Sequence, residues 1–180
     1  MAKLDIVVVS DPGKFDGFYF LQSMMNIGEK HVTHTQTMVK QILDLTDSDN
    51  TVAALTIHGH GNQTGQYVGR DWLDIYTLPK YREELAKLTP HFEEDAIVTL
   101  GGCNVGHAEA LLQRLSELWG GIAVRAGTAQ QMAFPGIEGG IRSCKVNVCK
   151  YGGPGFWDKF DQKVRPRMDK KIGRLRQLFR

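Results

Sequence analysis

Short apolar runs alternate with segments of helical periodicity over residues 4–126, and this alternation constrains the fold more than any other feature of the sequence. The pattern predicts strands at 4–9, 51–57, 96–100 and 122–126, and helices at 32–45, 79–88 and 107–119. Strands separated by helices at this spacing are typical of a parallel sheet with helices on both faces. We therefore expect an α/β fold built on a mostly parallel sheet.

The pattern changes after the fourth strand. Residues 137–151 contain a Gly-Gly pair followed by alternating apolar and polar residues, which predicts a hairpin or flap at the edge of the sheet. Residues 156–180 hold nine Lys and Arg against three Asp, whereas the preceding residues hold thirteen basic and seventeen acidic ones. We expect one domain over 1–155 and a basic amphipathic helix over 156–180. That helix either packs on the domain through its Lys and Arg stems or contacts a polyanion.

The sequence also bears on compartment and membrane association. No apolar run reaches the ~20 residues that a membrane-spanning helix needs, and the opening residues read as a strand rather than a signal peptide. Three cysteines in a chain without a secretion signal do not form a disulfide framework. We therefore expect Cys103, Cys144 and Cys149 to be free thiols in a reducing, cytoplasmic compartment. Cys144 and Cys149 are expected to fall on opposite faces of the flap and to serve its packing.

Reactive side chains follow three of the predicted strands. Asp11 follows the first, His58 and His60 follow the second, and Cys103 follows the third. Because the carboxyl ends of parallel strands meet at one edge of a sheet, we expect these side chains to lie close together. A histidine beside a cysteine accepts the thiol proton and makes the sulfur a nucleophile. Glycines in both loops leave room for a substrate backbone.

Two segments carry a resemblance to a known family. Residues 55–61, LTIHGHG, and residues 97–106, IVTLGGCNVG, are similar to the histidine and cysteine motifs of the caspase-like cysteine peptidases. They most resemble the bacterial branch that includes the self-processing domains of toxins and the gingipains. The resemblance covers about residues 51–128. It implies a caspase-like three-layer sandwich and a cysteine endopeptidase that acts on proteins or peptides without a cofactor or metal.

The same resemblance assigns roles to individual residues. Cys103 is the implied nucleophile and His60 the implied base, which together hydrolyse a peptide bond through a thioester. The backbone N–H groups of Gly61 and Cys103 are implied to bind the oxyanion. His58 is expected to be a supporting neighbour, and Asp11 either orients the histidine or only forms a turn.

Substrate preference is set, in this family, by the wall that follows the cysteine. The resemblance therefore implies a pocket that includes Arg125, Thr128 and Gln130. Arg125 either selects an acidic substrate side chain or points to solvent.

Gly102 departs from the Ala or Ser that many family members carry before the cysteine. In the toxin branch a basic pocket near a β-flap binds inositol hexakisphosphate, which is consistent with a polyanion contact of the basic C-terminal helix.

Two other functions stay open. A caspase-like domain that is catalytically silent would serve only to bind a partner. A zinc-dependent hydrolase would use the His-x-His pair, His107 and Cys103 as ligands, although neither loop supplies an Asp or Glu as base. An α/β-hydrolase and a tyrosine phosphatase do not fit, because Val105 and Glu109 stand where those sites need Gly and Arg.

Overall fold

The computed structural model describes residues 2–10, 30–46, 50–129 and 140–152. The expectations for Asp11, Gln130 and the helix at 156–180 lie outside these ranges. The described strands are β1 (Ala2–Ser10), β2 (Lys30–Val32), β3 (Asn50–His58), β4 (Gly65–Val68), β5 (Asp71–Asp74), β6 (Phe92–Leu100), β7 (Ala123–Gly127), β8 (Ile141–Lys145) and β9 (Val148–Gly152). The described helices are α1 (Thr35–Leu45), α2 (Leu78–Ala86) and α3 (Glu109–Leu118), with short 3-10 helices at Thr89–His91 and Val105–His107.

A seven-stranded sheet organises the described part of the chain, in the order β2-β1-β3-β6-β7-β8-β9. The strands from β2 to β7 in this order are parallel, and β8 and β9 extend the sheet as an antiparallel hairpin. The register pairs Val8 with Ile57, Ile57 with Leu100, and Leu100 with Ala126. The protein is thus a mixed α/β fold with a mostly parallel central sheet, and the hairpin predicted at 137–151 lies at its edge.

The core lies between the sheet and a layer of helices. Alternate side chains of the strands, such as Leu55 and Ile57 of β3, are fully buried, and α1 contributes Met38 and Ile42 from its apolar face. The helices contact one another in chain order, α1 with α2 and α2 with α3, so they form one layer. All three helices predicted between the strands lie in this layer, so the expectation of helices on both faces is not confirmed within the described ranges. No described helix is long and apolar enough to cross a lipid bilayer.

The structure corrects two of the predicted helix boundaries. Val32 belongs to β2, and α1 begins only at Thr35, whose N–H donates to the Asp71 carboxylate of β5 over 2.8 Å. The helix predicted at 107–119 begins as an α-helix at Glu109, because the chain first forms a 3-10 helix. Its buried side chains accordingly include Leu112, while Ala110, expected to be buried, is exposed.

Cys144 and Cys149 form a disulfide, which makes the expectation of free thiols wrong for these two residues. They are opposite residues of β8 and β9, equally distant from the two-residue turn in which Asn147 has a left-handed φ of 60°. Opposite residues of an antiparallel pair point to the same face, so the two sulfurs meet instead of lying on opposite faces. Cys103 is not part of a disulfide. Free thiols at all three cysteines were the reason for expecting a reducing compartment, and this reason no longer holds. The cytoplasmic location stays a prediction.

Candidate active site

Two glycine loops pack backbone to backbone: the histidine loop, residues 59–64 after β3, and the cysteine loop, residues 101–104 after β6. A Cβ placed on Gly61 would lie 2.9 Å from the Gly102 Cα and 2.6 Å from the Val105 Cγ2. A side chain at Gly61 would therefore separate the two loops, and glycine allows them to touch. Because Gly61 follows His60 and Gly102 precedes Cys103, this contact places the segments that carry the two candidate residues side by side.

The His60 side chain lies on the side of its loop opposite to this glycine contact. Gly61 pairs with Gln66 of β4 in an antiparallel bridge, next to which the Tyr67 N–H donates to the His60 carbonyl over 2.8 Å. Successive residues of an extended chain point to opposite sides. Gly61 and Gln66 both face Gly102. His60 and Tyr67 therefore project together to the other side.

The cysteine loop shows the same alternation. A Cβ on Gly101 would meet the His58 Nδ1 at 2.7 Å, whereas a Cβ on Gly102 would meet the Gln66 Cβ at 2.9 Å. Gly101 and Gly102 thus face opposite sides of the sheet, and Cys103 follows them in the turn that ends the strand direction. Cys103 is half-buried. The structure therefore places His60 and Cys103 on two adjoining loops.

Gln66, which no sequence pattern marks, joins the two strand ends with its buried amide. Its Nε2 donates to the Ile57 carbonyl over 3.2 Å, and its Oε1 accepts from the Gly102 N–H over 2.9 Å. The Gly101 N–H donates to the same Ile57 carbonyl over 2.8 Å. Because the Gln66 side chain is fully buried, these bonds replace those that water would make. Gln66 thereby holds the histidine loop and the cysteine loop at a fixed separation.

The same amide explains why a glycine precedes Cys103. A Cβ at Gly102 would lie 2.8 Å from the Val105 Cγ2 and 2.9 Å from both the Cβ and the Oε1 of Gln66. These distances are shorter than van der Waals contact, so an Ala or Ser at this position would displace Gln66. Glycine stands here in place of the family's Ala or Ser because the buried Gln66 amide occupies the space that a Cβ would need.

His58 occupies a different environment from His60. It lies against Gly101 and is partly buried, and desolvation lowers its pKa to about 4. The imidazole is therefore neutral at pH 7 and a weak base. His60 is exposed, where a substrate can reach it. The two environments favour His60 as the base and His58 as a supporting neighbour, and the assignment stays a prediction.

The chain leaves the strand direction immediately after Cys103. Asn104 adopts the left-handed conformation with φ of 59°, a region that asparagine tolerates better than most residues. Its N–H donates to the Ala129 carbonyl over 2.9 Å, which fixes the loop against the segment that follows β7. The 3-10 helix Val105–His107 begins directly after this turn. The thiol thus stands at a sharp, hydrogen-bonded change of chain direction.

The residues predicted to form the substrate pocket have structural partners. Arg125 is only 7% exposed, so the expectation that it points to solvent is wrong. Its Nε donates to the Thr99 Oγ1 on β6 over 2.9 Å, and desolvation lowers its pKa to about 10. Thr128 donates its N–H and its hydroxyl to the Gly140 carbonyl over 2.9 and 3.0 Å, which ties the end of β7 to the start of β8. Gln130 lies outside the described residues, and the pocket stays a prediction.

The four ligands expected for zinc are not gathered into one group. The His107 Nε2 lies 2.9 Å from the Thr128 carbonyl oxygen, on the side of β7. Within the ranges that the structure describes, no three His, Cys, Asp or Glu side chains converge to hold a metal ion. The geometry therefore gives no support to a site built from His58, His60, His107 and Cys103.

An aromatic pair that the sequence motifs do not indicate lies beside the histidine loop, on the β4–β5 hairpin. Tyr67 and Trp72 are opposite residues, with ring centroids 4.9 Å apart in an edge-on arrangement. The Trp72 Nε1 donates to the Asp74 carboxylate over 2.9 Å. Burial alone would raise the pKa of Asp74. Hydrogen bonds from Thr77, Trp72 and Tyr76 lower it by more, so the net pKa lies below its usual range. The carboxylate thus stays ionised and holds the indole.

The hairpin is attached to the rest of the molecule at several points besides the Gln66 amide. The Ser10 hydroxyl, at the end of β1, donates to the Tyr67 carbonyl over 2.9 Å. The Asp71 carboxylate accepts the Thr35 N–H at the start of α1 over 2.8 Å. These bonds fix the hairpin relative to the carboxyl ends of β1 and β3.

Residues 17–131 match the sequence profile of a family described as Domain of unknown function (DUF4347). The chain belongs to this family. The match spans more than half of the chain and includes both glycine loops with His60 and Cys103. No curated protein and no solved structure matches the chain. Membership in the DUF4347 family assigns no chemistry, so the function has to be inferred from the residues of the site.

Proposed function

We propose that the chain is a cysteine endopeptidase in which Cys103 is the nucleophile and His60 the general base. The observation that carries the proposal is the backbone contact between Gly61 and Gly102, which brings together the loops that carry His60 and Cys103. The similarity of residues 55–61 and 97–106 to the motifs of caspase-like peptidases supports the same assignment.

The proposed reaction proceeds in two steps. The Cys103 sulfur attacks the peptide carbonyl carbon while its proton passes to His60, and His60 then gives that proton to the leaving amine as the C–N bond breaks. The acyl group is left on sulfur as a thioester. A water molecule, deprotonated by His60, attacks the thioester, and the carboxylic acid leaves as the Cys103 thiol is restored. In each step His60 passes to the leaving group the proton that it took from the nucleophile, so the amine receives the Cys103 proton and the Cys103 sulfur receives one from water.

Backbone N–H groups supply the electrostatic stabilisation in this proposal. The hydrogen bonds beside the Gly61–Gln66 bridge are donated by the Asn62 and Tyr67 N–H groups, so the Gly61 N–H takes no part in them. Together with the N–H of Cys103, it is the proposed donor to the tetrahedral oxyanion. A fixed donor of this kind accelerates acyl transfer by ~10²- to 10³-fold.

The first experiment compares cleavage by the wild-type chain with that by Cys103→Ala and His60→Gln. Each is incubated with a mixed peptide library and with cell lysate, and new termini are read by mass spectrometry. We expect both substitutions to reduce cleavage by ~10³-fold or more, because each removes one member of the dyad. His107→Gln, an exposed histidine in the same region, is the matched control and should retain cleavage.

A second measurement tests the thiol without a substrate. Because Cys144 and Cys149 are disulfide-bonded, alkylation by iodoacetamide reports on Cys103 alone. We expect alkylation of the wild type at pH 7 to exceed that of a free thiol and to fall ~10-fold in His60→Gln. Ordinary thiol reactivity together with no cleavage would contradict the peptidase and favour a binding domain of the same fold.

A further inference from the structure

We infer that Tyr67 and Trp72 form the recognition surface for apolar side chains that follow the cleaved bond in the polypeptide substrate. This inference rests on the proposed peptidase function and adds its substrate class. It predicts a preference for an aliphatic or aromatic side chain within the first three residues after the cut.

The first support is the row that the strands form beside the dyad. His60 and Tyr67 project to the same side of adjoining extended segments, and Trp72 is the residue opposite Tyr67 on β5. The row therefore runs from His60 to Tyr67 to Trp72 across two strand spacings of ~4.8 Å each. It begins at the dyad and ends ~10 Å beyond it.

The second support is that the row begins at His60, the residue that the departing segment of the substrate passes first. Cys103 bonds to the carbonyl side of the cleaved peptide, and His60 protonates the nitrogen of the departing side. The residues after the cut therefore pass His60 first. An extended peptide advances ~3.3 Å per residue, so a row of ~10 Å corresponds to about three residues of the departing segment.

The third support is the rigidity and the exposure of the two rings. Tyr67 is 42% exposed, so part of its ring is free to be covered by a ligand. Trp72 packs edge-on against Tyr67 and is held by the Asp74 carboxylate. Ser10 fixes the backbone of Tyr67. Rings that are already ordered lose little conformational entropy on binding, which makes them effective anchors for apolar groups.

The experiment compares, within each variant, the kcat/KM for two peptides that differ only after the cut. A change in the overall rate of the variant therefore does not affect the ratio of the two values. Quenched fluorescent peptides share the sequence found before the cut and carry either Leu or Gly at the three positions after it. We expect the wild type to cleave the Leu peptide ~10- to 100-fold better in kcat/KM, the gain from burying apolar side chains. Tyr67→Ala and Trp72→Ala should bring this ratio below ~3. Tyr67→Phe should keep it, because the ring remains.

Tyr76→Ala is the matched control, since Tyr76 is 87% exposed in the turn after β5 and lies outside the row. It should retain the wild-type ratio. A wild type that cleaves both peptides equally, or a ratio unchanged in Tyr67→Ala, would overturn the inference and leave the peptidase standing. Failure of the wild type to cleave any peptide, with ordinary reactivity of Cys103, would overturn the peptidase and this inference with it.

Discussion

The two hairpins of this protein are attached to the sheet in different ways. The β8–β9 hairpin continues the sheet by pairing with β7, and a disulfide joins its two strands. The β4–β5 hairpin forms a separate two-stranded sheet, linked to the glycine loop by one bridge and to both strand ends by the buried Gln66 amide. The position of the β8–β9 hairpin therefore depends on backbone pairing with β7, and its stability also depends on whether the two cysteines are oxidised. The hairpin beside the candidate site depends on a few buried polar contacts.

The largest expected effect comes from removing the amide that attaches the β4–β5 hairpin. Gln66→Leu keeps the approximate volume but leaves the Ile57 carbonyl with one partner fewer and the Gly102 N–H without its acceptor. The unpaired Gly102 N–H costs about 1–3 kcal/mol and the lost bond to the Ile57 carbonyl about 1 kcal/mol, so we expect a loss of about 3 kcal/mol in the free energy of unfolding. Urea denaturation followed by circular dichroism measures it.

Gln63→Leu is the matched control, because Gln63 lies exposed in the loop between the bridge and β4. It should change the free energy of unfolding by less than about 0.5 kcal/mol. A loss below about 1 kcal/mol in Gln66→Leu would mean that the two strand ends do not depend on the amide, and the contrast between the two hairpins would disappear.

The next effect is a pH dependence of the free energy of unfolding that arises from His58, at the end of β3 beside the candidate site. Unfolded His58 has a pKa of 6.5 and the folded one about 4, so unfolding takes up a proton between these values. Stability is therefore constant above about pH 6.5 and falls as the pH decreases toward 4. The full change is about 3 kcal/mol, since each pH unit is worth about 1.4 kcal/mol.

Urea denaturation at pH 7 and pH 5 measures this dependence. His58→Gln should reduce the difference between the two pH values, whereas His31→Gln, an exposed histidine on β2, should leave it unchanged. An equal difference in the wild type and in His58→Gln would show that another group takes up the proton.

The smallest expected effect concerns the disulfide of the β8–β9 hairpin. The two cysteines are five residues apart, so the bond closes a short loop, and its reduction should cost about 2 kcal/mol of unfolding free energy. The double variant Cys144→Ala with Cys149→Ala should show the lower stability with or without dithiothreitol. In Cys103→Ala the loss on reduction should persist. Alkylation of three thiols in the untreated chain would contradict the disulfide itself.

The sequence was sufficient to predict the elements that long-range periodicity encodes. The apolar runs at 4–9, 51–57, 96–100 and 122–126 correspond to β1, β3, β6 and β7, because such runs supply the buried side chains of a parallel sheet. The carboxyl ends of β3 and β6, with His60 and Cys103 just beyond them, follow from the same reasoning.

The contacts that hold the site were harder to predict, because they depend on single side chains. No periodicity marks Gln66, whose role follows from the separation of two strand ends in space. Two signals were nevertheless present. Gly69 and Arg70 separate two short runs by two residues, which is a hairpin pattern. Cys144 and Cys149 are equally distant from a two-residue turn, which makes them cross-strand neighbours.

The strand order also bears on how the chain is assembled during synthesis. β3 joins the edge of β1 that β2 leaves open, and after that each new strand of the sheet joins the one added before it, so β6 joins β3 and β7 joins β6. A chain emerging from the ribosome can therefore extend this sheet strand by strand. The loop with His60 is complete before the loop with Cys103 exists, so in a nascent chain these two loops meet only after β6 has joined the sheet.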